Sequence, residues 1–158
     1  GLGGTAAYAY WSASTAATIT VTPKAKLGTP PAKFDCYEML TPNEIRWPVV
    51  RDADKDVVYL LTFTVDGITK SYALPNSDRY VRHGEVVLQP SSISALQRAF
   101  GQTGLKRRTM TVSLRTATVN LNVASLTPFT EADVVEQSTR QEMTMFYVTT
   151  GWANYPCR

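Results

Sequence analysis

VVYLLTFTVDGITKSYAL, residues Val57 to Leu74, decides the fold. Val57–Val65 is rich in β-branched, aromatic and aliphatic residues, and so is the run Ile68–Leu74. Such side chains fit a pleated, half-buried surface. Only Asp66-Gly67 stands between the two runs. A two-residue type I′ turn needs positive φ at both central positions, which Asp tolerates and Gly prefers. The stretch therefore predicts an antiparallel hairpin, closed by the turn residues Pro75-Asn76-Ser77-Asp78.

Toward the N-terminus, Arg51–Asp56 (RDADKD) is a charged solvent loop, and Thr41-Pro42-Asn43-Glu44 is a turn or one helical turn. Phe34–Leu40 predicts a short strand. Lys24–Lys33, with Gly28 and Pro30-Pro31, is an extended loop. Thr15–Thr22 (TAATITVT) alternates and reads as a strand ended by Pro23. Gly1–Ser14 is small and chargeless and carries Tyr8, Tyr10 and Trp11, which suits an arm that docks on a neighbour or a short edge strand. It does not read as a signal peptide, because no basic start precedes an apolar core.

Toward the C-terminus, Arg79–Leu88 predicts a strand bent at Gly84. Pro90–Gly101 predicts a helix, with Ser91 or Ser92 as cap and Ile93, Leu96, Ala99 and Phe100 on its buried face. Gly101 stands where a C-terminal cap belongs. Thr109–Thr116 and Thr118–Ala124 read as two strands, with Val112 and Leu114 on one face and Val119, Leu121 and Val123 on another. Thr130 caps a short helix with acids in its first turn. Arg140–Thr150 is a final strand with Met143, Met145 and Tyr147 on one side. The expectation is an all-β, mainly antiparallel sandwich or barrel of about seven to eight strands with one or two short helices. Residues 1–14 would be the arm and residues 15–158 a single β domain.

Composition agrees. The chain has 158 residues, 44% hydrophobic and 18% charged, which is too apolar for a disordered segment. It has no apolar run of the roughly 18 to 20 residues that a membrane helix needs. The net charge of +3 is mild for a nucleic-acid module, which usually shows a clustered basic face. The densest positive cluster is Lys106-Arg107-Arg108, joined in sequence by Arg98 and Arg115, and it is the candidate nucleic-acid contact. The same residues also read as a turn carrying solubilising charge. Cys36 and Cys157 are either a bridge, implying an oxidising compartment, or two free thiols.

Catalytic patterns are weak. The alternation Asp52, Asp54, Asp56 lacks the glycine and closing glutamate of a calcium loop. The one histidine, His83, reads as a half-buried strand residue rather than a base. No cofactor or metal is implied. Tyr8, Tyr10, Trp11, Trp152 and Tyr155 lie near the two ends in nearly chargeless segments and are candidate interface anchors. The sequence thus favours a non-enzymatic structural subunit that self-assembles, of the virus or phage coat or virion-associated kind. A secreted or periplasmic binding module, such as an adhesin or secretion-system component, comes second. A small hydrolase on a β scaffold comes third.

Overall fold

The computed structural model describes residues 24–158. The predicted arm 1–14, with Tyr8, Tyr10 and Trp11, and the predicted strand Thr15–Thr22 lie outside the described residues. The rest is all-β and mainly antiparallel, in two sheets. The strands are β1 (Asp35–Tyr37), β2 (Glu44–Pro48), β3 (Val58–Val65), β4 (Ile68–Pro75), β5 (Val81–Arg82), β6 (Glu85–Leu88), β7 (Arg108–Val119), β8 (Thr127–Pro128), β9 (Val134–Gln137), β10 (Gln141–Thr149) and β11 (Ala153–Asn154). One helix, α1 (Ser94–Phe100), lies against β4. The small sheet runs β1-β2-β6-β5, and the large sheet runs β8-β4-β3-β7-β10-β11 with β9 also on β7.

The Asp-Gly hairpin forms as read. Val65 pairs with Ile68, and the turn takes φ of 50° at Asp66 and 80° at Gly67. Inward-facing Tyr59, Leu61, Phe63 and Val65 of β3 meet Tyr72 and Leu74 of β4 and Met110, Val112 and Leu114 of β7. The small sheet covers this face with Ile45, Trp47, Val86 and Leu88, and α1 adds Leu96. Trp47, fully buried, packs edge-on against Phe34 at 5.9 Å and Tyr59 at 5.2 Å. The Tyr59 hydroxyl accepts from Val50 N at 2.9 Å and donates to Asn76, whose amide donates to Val50 O. Desolvation holds that phenol above its ordinary pKa.

The outer face of the large sheet has its own smaller core. Val58, Leu60, Ala73, Ala117 and Phe129 cluster there, joined by Val119, Leu121, Val123 and Val134. The segment 120–133 leaves β7, reaches the far edge of the sheet as β8 beside Tyr72 and Ala73, and returns to β7 as β9. This back flap explains two burial patterns. β3 is buried at every position from Val58 to Leu61, and β7 at every position from Val112 to Thr118. β3 alternates from Leu61 to Val65, in the half that the flap leaves free.

Four expectations need correction. Residues 109–124 form one strand ending at Val119, because pairing to β3 and β9 continues unbroken through Ala117; Leu121 and Val123 pack from the flap instead. Arg79–Leu88 is a hairpin, not a bent strand. His83 and Gly84 form its two-residue turn with φ of 53° and 79°, so His83 is exposed rather than half-buried in a strand. Pro90–Ser92 forms a 3-10 turn first, so the helix begins at Ser94 with Ile93 at its cap position. Ser92 donates to Gln89 O rather than capping. The described strands that the sequence did not supply are β2, β8, β9 and β11, and β5 separates from β6 at the His83-Gly84 turn; β8 and β11 are two residues long, too short to carry a period.

Candidate interaction surface

After β10 the chain turns at Gly151, places Trp152 in solvent at 70% exposure, and folds back as β11 on Val148 and Thr149. Tyr155 then dips into the core, 5.6 Å from the Tyr147 ring, where desolvation raises its phenol pKa. Pro156 O accepts from Phe146 N at 2.9 Å. Cys157 closes a disulfide to Cys36 of β1, with Cα atoms 5.5 Å apart. The bridge fastens the tail beside the segment that follows β1.

That segment, residues 38–43, forms a second wall. Asn43 joins the two walls: its amide donates to Tyr155 O at 3.0 Å and accepts from Met39 N at 3.0 Å. Arg158 of the tail also contacts Glu38 at 3.3 Å. Between the walls lies an open groove of about 700 Å³. Leu40 stands fully in solvent on one side, Trp152 on the other, and Met39 is partly exposed beside them. Arg107 lines the groove, its guanidinium 5.0 Å from the Phe146 ring centre. Two large apolar side chains left in water across one groove make it the leading contact surface of the described residues.

The two aromatic candidates of the tail therefore reach one place but differ in role. Trp152 is available for contact, while Tyr155 is the buried floor. Leu40, Met39 and Asn43 were missed by sequence reasoning. The available signal was an apolar Met-Leu pair just before a Thr-Pro-Asn turn, where no strand continues to bury it.

The basic candidates separate. Lys106 and Arg107 are exposed at the start of β7, and Arg98 is exposed on α1, donating to Ser94. Arg108 is half-buried and 3.5 Å from Asp66. Arg115 leaves the cluster altogether. It is 2% exposed on the back of β7 and grips the flap, donating to both carboxylate oxygens of Glu131 at 2.8 and 2.9 Å and to Gln137 at 2.7 Å. Its guanidinium lies over the Phe129 ring. The Arg115 hydrogen bonds hold the Glu131 carboxyl below its ordinary pKa.

A second charged group marks the outer face of the small sheet. Glu44 is buried and accepts from Arg82 and Arg46, with the shortest bond 2.6 Å from Arg82. Those hydrogen bonds, Arg82's foremost, hold the carboxyl pKa low. Arg46 also stacks on Tyr37 at 4.1 Å. Asp52 and Asp54 of the charged loop accept from the backbone amides of Thr29 and Lys26, which moors the entering chain. Among the described residues no three His, Cys, Asp or Glu side chains gather as a metal site would require. No helix there is long and apolar enough to cross a membrane.

Compared with known protein families, curated proteins and solved structures, the chain matches none of them.

Proposed function

We propose that the protein is a structural subunit that assembles with further copies of itself, of the coat or virion-associated kind, and acts by contact rather than by catalysis. The groove carries this reading. Its exposed side chains include the apolar Leu40, Met39 and Trp152 beside Glu38, Arg107 and Arg158, and the three apolar ones suit the removal of apolar surface from water. At least four of the thirteen acids have structural partners. Glu44 and Glu131 neutralise arginines, and Asp52 and Asp54 hold backbone amides. If nucleic acid is also contacted, Lys106, Arg107 and Arg98 are the exposed candidates that would meet phosphate.

Sedimentation velocity over a wide concentration range tests this. The expected result is concentration-dependent association that weakens in Trp152→Ser and in Leu40→Ser. A chain that stays monomeric throughout would remove the reading.

The Cys36–Cys157 disulfide supports a second reading, a secreted or periplasmic binding module, since such bonds persist in oxidising compartments. Thiol titration of protein taken from its native compartment separates the two. Two titratable thiols there would leave this second reading without its support.

A further inference from the structure

We propose that the Cys36–Cys157 bond is a releasable latch: a small dithiol reduces it in the folded protein, and the walls of the groove then part. The latch acts on the groove whatever fills it, so it stands independently of assembly.

The bridge sits where two cavities meet. One is the groove of about 700 Å³. The other is an open cleft of about 400 Å³, lined by both cysteines together with Asp35, Met143 and Thr144. Glu38 and Arg158, each within two residues of a cysteine, line both cavities. Thiol–disulfide exchange needs a path by which a thiolate reaches one of the sulfurs. The cleft offers that path to the two half-buried cysteines.

The walls have few other ties. Without the bridge, the polar contacts left between segment 38–43 and the tail are the Asn43–Tyr155 hydrogen bond of 3.0 Å and the Arg158–Glu38 pair. Both side chains of that pair are largely exposed, so it holds weakly. β11 ends at Asn154, and beyond Tyr155 the tail keeps one backbone hydrogen bond, from Phe146 N to Pro156 O. Cys36, by contrast, is fixed in β1 opposite Ile45. Reduction therefore frees the tail side. Tyr155 stays seated 5.6 Å from the Tyr147 ring and serves as the pivot about which Pro156–Arg158 swing.

The step is two successive exchanges. A thiolate of the dithiol bonds to one cysteine sulfur, and the other cysteine leaves as a thiolate and takes up a proton from water. The second sulfur of the dithiol, as a thiolate, then bonds to its first and releases the remaining cysteine, which is protonated in turn. Two electrons pass to the protein, and the dithiol ends as a cyclic disulfide. Oxidising surroundings keep the groove closed, and reducing ones open it.

Labelling and hydrogen exchange on the full chain, with and without dithiothreitol, test this. Iodoacetamide added without denaturant should label both cysteines after dithiothreitol and neither before it. Exchange at the Phe146 amide, which Pro156 O holds, should then rise at least about tenfold more than exchange in β3. Near-UV circular dichroism should keep the signal of the buried Trp47 stack. Oxidised glutathione should restore slow exchange, and Cys36→Ser/Cys157→Ser should match the reduced chain. Labelling that needs denaturant, or that precedes the reductant, would overturn the latch. So would a Phe146 amide that speeds up only in step with β3, or loss of the Trp47 signal, because the bond would then serve global stability alone. If Phe146 responds as expected and the oxidised chain never associates, the assembly reading falls and the latch stands. If the chain associates and Phe146 does not respond, the latch falls and the assembly reading stands.

Discussion

On its front the large sheet faces Ile45, Trp47, Val86 and Leu88 of a second sheet; on its back it faces the flap 120–133. The front cover is secured several times over. The Phe34–Trp47–Tyr59 stack, the Tyr59–Asn76–Val50 hydrogen bonds and the Cys36–Cys157 bridge all hold it. The back cover rests on a handful of apolar contacts, the short ladders of β8 on β4 and β9 on β7, and Arg115, whose side chain is buried while its partner Glu131 is 62% exposed. An arginine sealed beneath a thin flap is costly to leave unpaired, because its charge has no water to turn to. The difference teaches that one strand pair can belong to a robust core on one face and, on the other, to a thin cover with one buried side-chain clasp.

The largest expected effect breaks the front. Cys36→Ser with Cys157→Ser should lower global stability by up to about 5 kcal/mol, since the bond closes a very long loop. The denaturant midpoint should fall by the same amount whichever spectroscopic probe is followed. Trp47→Ala should cost about 4 kcal/mol, again globally, through lost transfer energy and the cavity left behind. A change confined to local probes would mean that the two faces are less distinct than described.

The back should respond differently. Glu131→Ala should cost about 2 kcal/mol, less than for a fully buried pair because Glu131 is half in solvent. Hydrogen exchange should localise the loss to residues 120–137, with β3 and α1 amides still protected. Acid should do the same reversibly. The folded-state pKa of Glu131 is lowered, so its contribution is present above the unfolded value and lost as pH falls through the folded one. Flap amides should therefore exchange faster than front-core amides as pH drops below about 4.3, the ordinary glutamate value. Glu131→Gln should abolish that step. The smallest effect falls on Trp152→Ser, which should change stability by no more than about 0.5 kcal/mol while reducing association.

Much of the architecture was legible in sequence. Asp66-Gly67 gave the hairpin, Thr130 the start of the short 3-10 turn Glu131–Asp133, and Met145 and Tyr147 the inward face of β10. The flap was not, although the run Val57–Leu61 held its trace. An unbroken apolar strand means burial on both faces, and such a run looks the same whichever element supplies the second cover. Leu121 and Val123 kept the rhythm of β7 after the strand had ended, so period alone could not place its end. Arg115 looked like surface charge because sequence neighbours say nothing about which face of a strand is roofed. The groove was half legible: Trp152 stood out, but Leu40 needed the fold to set it opposite.

The Cys36–Cys157 bond has one more consequence, for proteolysis. Any single cut between those two residues leaves both pieces in one covalent molecule, and its mass falls only when reductant is added. A cut upstream of Cys36 sheds the head at once. Gels run with and without reductant would therefore reveal where a protease struck before any fragment was sequenced.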